Sequence, residues 1–309
     1  MASIQKIKEL RERTQAGMAD CKSALDEAGD DMEKAVEIIL KKGQAKSAKR
    51  AGKVASEGEV RAVVFDDSRA AAIAEVNIET DFSARNDRFK ALCDKVLSSV
   101  KQAPTGQALG KLVFEGKTLE EHADEVTAVI GEKITLRRYD KLSIPSGKHG
   151  MTSAYVHMGG KIGVILAIEA ETAAAAKHEA VQNFAEETAM QIAAMNPVAL
   201  RREDIDEAEL DKQREIFTAQ LREEENPKPE KVWPKIIEGK ISKWHSDVVL
   251  LEQESAQHKK KIEELCKEAG KAGGAGIVIT GFVRYELGEG IEKKKDDLQA
   301  GVAEVLHSR

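Results

Sequence analysis

Residues 70–100 read AAAIAEVNIETDFSARNDRFKALCDKVLSSV, and the fold turns on this stretch. Its first nine residues form an apolar, strand-like run. Glu79-Thr80 then opens a helix in which Phe89, Leu92, Cys93, Val96, Leu97 and Val100 recur at i, i+3, i+4 and i+7, the spacing of one buried helical face. Upstream, residues 60–65 make a second strand-like run, joined to the first through Asp66-Asp67-Ser68-Arg69, so the two predict a hairpin. Downstream, Thr118 with Glu121 caps a helix bearing Leu119, Val126, Val129 and Ile130, and residues 133–142 return as a strand. The order is hairpin, helices, strand.

That order recurs. Residues 151–157 and 161–170 flank the turn Met158-Gly159-Gly160. Glu171-Thr172 opens a helix through Val181, Phe184, Ala185, Thr188, Ile192 and Met195 that stops at Asn196-Pro197. Arg284-Tyr285-Glu286 echoes Arg138-Tyr139-Asp140. A diverged internal duplication explains both echoes. Thr80 and Thr172 lie 92 residues apart and Arg138 and Arg284 lie 146 apart, so the second copy carries an insertion of about 54 residues. Residues 203–225 carry Leu210, Phe217 and Leu221 on one face. Asn226-Pro227-Lys228-Pro229 breaks the chain, and Val232, Ile237, Ile241 and Trp244 make a second stripe. These two stripes predict an antiparallel helical hairpin inserted at about 203–245.

Ahead of the duplicated core the sequence predicts three short helices. Ser3 caps one carrying Ile4, Ile7 and Leu10, a second runs from Met18 through Cys21 and Leu25, and Asp30 with Glu33 forms a capping box for a third that ends at Lys41-Lys42-Gly43. Residues 41–53, KKGQAKSAKRAGK, hold six basic side chains and no acidic one, a linker composition. The fold class is therefore α+β.

A chain of 309 residues is long enough for one large domain or two to three modest ones, and 41% apolar residues exclude a disordered chain despite 33% charged ones. A net charge of −6 argues against nucleic acid as a partner, because phosphate neutralisation needs an excess of Lys and Arg. Cys21, Cys93 and Cys266 are far apart and read as reduced thiols, which points to the cytoplasm. Neither a signal-like start nor an apolar run of membrane-spanning length is seen, so no membrane association is expected. The sequence contains no GxxxxGK[ST], GxGxxG, HExxH or GxSxG, so no catalytic residue, metal site or cofactor is nominated. His122 on a helix stripe and His157 at a strand end read as structural on their own.

Three stretches carry a family resemblance. Residues 8–22, KELRERTQAGMADCK, residues 75–86, EVNIETDFSARN, and residues 280–292, TGFVRYELGEGIE, resemble in order the signature blocks of bacterial elongation factor Ts. The resemblance implies a ubiquitin-associated-like three-helix domain at 1–43 and a basic linker at 44–57. It further implies a core N-subdomain at 58–143, a C-subdomain at 144–292 holding the helical hairpin, and a C-terminal helical module at 293–309. The implied activity is guanine-nucleotide exchange on elongation factor Tu without covalent chemistry. A homodimer is left open.

By the same resemblance, Thr80, Asp81, Phe82 and Ser83 would enter the partner near its magnesium site. Arg11, Met18 and Lys22 would dock the helical domain on the partner, and Ile130 and His157 would contact it from the core. Periodicity alone puts Phe82 on the stripe of Phe89, although Arg85 and Asn86 interrupt that stripe and suggest a strand-to-helix corner. Asp81 reads plainly as a helix N-cap. Arg11 and Lys22 read as solvated charges, Met18 and Ile130 as core. Gln15, Ala19 and Ser83 depart from the usual Gly, Met and Val of the family, so a looser corner is expected at Ser83. Two competing readings are a pure binding module and an RNA-binding accessory protein using residues 41–53.

Overall fold

The computed structural model describes residues 3–292 except Gln15, Ala51, Thr105 and 225–227. The helical module expected at 293–309, the Gln15 position and part of the break at 226–229 therefore lie outside the described residues. The described chain mixes helices with antiparallel sheet and divides into two compact units. Among the described residues, one draws on 3–60, 74–138 and 286–292, the other on 61–73 and 139–285.

The first unit begins with α1 (Ile4–Thr14), α2 (Met18–Glu27) and α3 (Met32–Lys49) around a core of Ile7, Leu10, Cys21, Ala24, Leu25, Ala35 and Ile39. Ser3 Oγ caps α1 by accepting from the Lys6 N–H at 3.2 Å. The cap of α3 is one residue later than expected. Gly29 and Asp30 both adopt positive φ, so Asp31 rather than Asp30 accepts from the N–H three residues on, that of Lys34 at 3.1 Å. The end of α3 is also corrected, because the helix continues through Gly43 to Lys49 instead of yielding to a linker at 41–53 or 44–57. The run QAKSAK that follows Gly43 contains good helix formers and no proline. Gly43 serves close packing there, since a Cβ on it would sit 2.8 Å from that of Ala128.

Next come β1 (Glu57–Phe65) and β2 (Ala70–Ile78), joined where Asp66, Asp67 and Ser68 all take positive φ. A single-turn helix, α4 (Asp81–Ala84), and a 16-residue helix, α5 (Asp87–Gln102), follow. Beyond them lie the small hairpin of β3 (Val113–Phe114) and β4 (Lys117–Thr118), then α6 (Leu119–Ile130) and β5 (Ile134–Ser143). Strand order in the sheet is β1-β2-β5. Central position explains why β2 is buried along its whole length. Helix α5 buries Phe89, Leu92, Cys93, Val96 and Val100, as its spacing requires. Thr118 and Glu121 form the reciprocal capping box of α6.

Burial of β2 traps two polar side chains, Glu75 and Asn77, both with no exposed surface. The Glu75 carboxylate accepts from Arg137 Nη1 and Arg138 Nε, each at 2.7 Å, from Asn77 Nδ2 at 3.0 Å and from the Gly288 N–H at 2.8 Å. Burial pushes its pKa up, but these donors outweigh burial and hold it below the usual glutamate value.

The second unit contains β6 (His149–His157), β7 (Ile162–Ala170), α7 (Ala173–Ala176), α8 (Glu179–Met195), α9 (Glu207–Glu223), α10 (Trp233–Val248), α11 (Ile262–Ala272) and β8 (Ile277–Glu286). β6 and β7 pair antiparallel from His149↔Ala170 to His157↔Ile162, and the sheet order is β6-β7-β8. Leu166, Ile168, Phe184, Ile192, Leu250, Ile262 and Ile279 form its core. The tip of the first hairpin belongs to this unit because Arg69 donates to the carbonyls of Ile144, Pro145 and Lys148, and the Thr152 N–H donates to Ser68 O.

α9 and α10 pack on each other, with Leu221, Trp233, Ile241 and His245 buried. The expected stripe is shifted at its start: Val232 is exposed and its neighbour Trp233 turns inward, donating from Nε1 to Lys228 O at 2.7 Å. The helix expected to run from Thr172 to Met195 is interrupted. Lys177 ends α7, and His178, in extended conformation, caps α8 by accepting at Nδ1 from the Ala180 N–H.

Element by element the second copy in the sequence repeats the first. β1, β2, α4 and α5 start at residues 57, 70, 81 and 87, while β6, β7, α7 and α8 start at 149, 162, 173 and 179. The third strand completes each sheet in the same order.

Candidate functional site

Thr80 leaves β2 in extended conformation, and its Oγ1 accepts from the Ser83 N–H at 3.2 Å, closing the single turn of α4. Asp81 is therefore the first residue inside the helix and not its cap. Its carboxylate instead meets Arg85 at 3.2 Å, with both side chains well exposed. Asn86 then caps α5 through the Arg88 N–H at 2.9 Å. The two caps turn the chain twice within seven residues, and Phe82 sits on the outer side of the bend.

Phe82 is 83% exposed, the highest value among the exposed large hydrophobics of the described residues. The core reading of Phe82 is thereby overturned: Asn86 starts a new helix, so the register of the Phe89 stripe does not reach back to position 82. An exposed phenyl ring is unfavourable to leave in water and is a ready docking element. Ser83 and Ala84, beside it, are buried.

The corner is braced from α6. Gly131 ends that helix in left-handed conformation at φ 82°, which a glycine adopts without strain, and it delivers Glu132 to the corner. The Glu132 carboxylate accepts from the Thr80 N–H at 3.0 Å, from the Thr80 hydroxyl at 2.9 Å and from the Ser83 hydroxyl at 2.7 Å. Instead of loosening the corner, Ser83 thus supplies one more bond to it. One residue earlier, Glu79 accepts from the Lys133 N–H at 2.6 Å and from Arg50 Nη1 at 2.8 Å, tying the end of β2 to the start of β5 and to the residue just beyond α3.

Sequence reading missed Glu132, Glu79, Arg50 and Lys133. Glu132 is more than 45 residues from both Thr80 and Ser83, so local spacing carries no trace of the contact. A C-cap glycine followed by an acidic residue was the one available signal.

Ile130, half-buried at the end of α6, lies two residues before Glu132 and so joins the corner through the Gly131 turn. Arg11, Met18 and Lys22 are exposed on the three-helix module, with Met18 and Lys22 one turn apart on α2. Met18 and Ile130 are thus not core residues. His157 belongs to the second unit. It is exposed at the end of β6 beside Val156 and Met158, and its Nδ1 lies 2.8 Å from the Tyr155 hydroxyl. The structural reading of His122 fits its burial and the contact of its Nε2 with Phe114 O at 3.0 Å.

Chemistry elsewhere is sparse. Among the described residues no group of three His, Cys, Asp or Glu side chains is placed to hold a metal ion. Cys21, Cys93 and Cys266 are buried, and burial pushes the thiols of Cys21 and Cys266 up, away from thiolate reactivity. No helix of the described residues is long and apolar enough to cross a membrane. What the surface offers is a hydrogen-bonded corner with an aromatic ring exposed to water.

The family model described as Elongation factor TS matches residues 79–289, beginning at the glutamate that anchors this corner. The chain belongs to the elongation factor Ts family. It is 44% identical over 304 residues to the Elongation factor Ts of a Nitratiruptor species, covering 97% of this chain and 98% of the relative. Identity to the Elongation factor Ts of Clostridium perfringens is 41% over 309 residues, with 99% of each covered. For the protein of that name from Clostridium kluyveri it is 39% over 315 residues, with 100% of each covered. As a family member it is an elongation factor of translation.

Proposed function

We propose that the protein is a guanine-nucleotide exchange factor that acts on elongation factor Tu, binding its GDP form in the cytoplasm and promoting GDP release so that GTP can bind. The observation that carries this reading is Phe82, 83% exposed on a corner whose backbone is held by Glu132. Family membership supplies the partner class.

In this mechanism Thr80-Asp81-Phe82-Ser83 enters the partner near its magnesium ion, and the Phe82 ring wedges between side chains there. Magnesium is the largest local charge opposing the phosphates of GDP, so displacing it leaves those phosphates poorly neutralised. Asp81 brings a carboxylate to the same place, unfavourable beside the phosphates once the metal has moved. Arg11, Met18 and Lys22 hold the three-helix module on the nucleotide domain, while Ile130 and His157 add contacts from the core. No covalent step is required. Exchange is a coupling free energy: the factor by which this protein weakens GDP binding equals the factor by which GDP weakens binding of this protein.

Catalytic amounts of the protein are expected to accelerate release of a fluorescent GDP analogue from elongation factor Tu, and Asp81→Ala with Phe82→Ala to slow it. No acceleration by the wild type contradicts the assignment.

A further inference from the structure

The duplication supplies an internal control for the corner. In both units the residue that precedes the cap is a glutamate bonded to a backbone N–H near the third strand: Glu79 to Lys133 at 2.6 Å, and Glu171 to Gly276 at 2.9 Å. In both, the cap threonine accepts from the N–H three residues on at 3.2 Å. These shared bonds belong to the architecture. The Glu132 brace is different. At the second corner Ala175 stands where Ser83 stands in the first, and among the described residues no carboxylate accepts from the Thr172 hydroxyl. Ala174 replaces Phe82 there. The brace and the exposed ring therefore occur together in one copy and are absent together from the other.

The physics gives the brace a task. A helix of four residues has a single turn and no cooperative stability of its own. With Phe82 83% exposed, the direction of its ring depends chiefly on the α4 backbone that carries it. Glu132 grips both ends of that turn, at Thr80 and at Ser83, and is itself set by the Gly131 cap of α6 and by the bond between Lys133 N–H and Glu79.

We infer that Glu132 is a positioning residue for nucleotide release, holding Phe82 in the pose that enters the partner, and that Ser83 makes the pose depend on this carboxylate. The inference rests on the exchange reading above. Pre-organisation of this kind speeds the step that uses the ring without adding a contact to the partner.

The test measures release of a fluorescent GDP analogue from elongation factor Tu over a range of concentrations of the full chain, with melting temperature in parallel. Variants are E132A, E132Q, S83A, F82A and the doubles E132A/F82A and S83A/F82A. A wild type that fails to accelerate release overturns the exchange reading itself. With an active wild type, E132A is expected to lower the saturating release rate about tenfold while moving the half-saturating concentration far less. E132Q, which keeps an acceptor oxygen, recovers part of the loss. The E132A/F82A double variant is expected to be no slower than F82A alone, because a brace has nothing to position once the ring is gone. An E132A protein that releases GDP at the wild-type rate, or losses that multiply in the double variant, overturns the positioning role. Should E132A melt below the assay temperature, S83A decides. It removes one bond and leaves both Thr80 bonds, and is expected to slow release about threefold on its own but not further in S83A/F82A than in F82A; an unchanged S83A rate overturns the inference.

Discussion

The corners at residues 80–86 and 172–178 have the same backbone and different surfaces. Both begin at a capping threonine, make one helical turn and restart at a second cap, Asn86 in one and His178 in the other. One presents Asp81 and Phe82 to solvent over a buried Ser83, the other Ala173 and Ala174 over a buried Ala175. A fold that duplicates keeps the caps because unpaired helix N–H groups are costly wherever they occur. Side chains that point into water are free to diverge, and there the difference between scaffold and tool is written.

Glu75 offers the largest break in the comparison. Its equivalent in the second unit is Ala167, so the buried carboxylate is a feature of one copy only. Glu75→Ala leaves Arg137 and Arg138 facing an empty buried position and is expected to cost about 3–5 kcal/mol in denaturant unfolding, whereas nothing comparable can be removed at Ala167. Because the folded-state pKa of Glu75 is depressed, its stabilisation is complete above the unfolded value of about 4.3 and is lost as pH falls through the folded value. Acid titration of stability should therefore be shallower in Glu75→Gln than in wild type.

The two cap threonines sharpen the comparison at a smaller scale. Thr172→Ala removes one cap bond and is expected to cost about 1 kcal/mol. Thr80→Ala removes the same bond together with the hydroxyl donated to Glu132, and its unfolding midpoint should drop further. Smaller still is Arg85→Ala, which breaks an exposed ion pair and should change stability by less than about 1 kcal/mol, an effect that vanishes in high salt. Ala174→Phe is expected to have the smallest effect. It rebuilds the ring without the brace, and both stability, within about 0.5 kcal/mol, and GDP release should stay at wild-type values.

Periodic features were legible in the sequence. The α5 stripe, the hairpin turn at 66–69 and the recurrence of Glu79-Thr80 at Glu171-Thr172 all follow from short-range spacing, which burial and capping enforce directly. Features set by distant partners were not. Gly43 is a helix-ending signal by itself, yet its place against Ala128 keeps it inside α3. The α3 cap moved for a local reason: the positive φ of Gly29 and Asp30 shifts it from Asp30, the expected cap, to Asp31. At the site, the break made by Arg85 and Asn86 pointed to the corner. Glu132 was invisible because it reaches Thr80 only through the tertiary fold. Exposure of Phe82 followed from that break and not from the stripe.

The central claim is that an exposed ring on a fixed corner drives nucleotide release. Its most direct test is the rate of fluorescent GDP release from elongation factor Tu at saturating wild-type protein and at saturating Phe82→Ala. Loss of a wedge that acts in the release step is expected to raise its barrier by about 2 kcal/mol, so the variant is predicted to be roughly thirtyfold slower with its melting temperature unchanged. Equal rates for the two proteins would contradict the account.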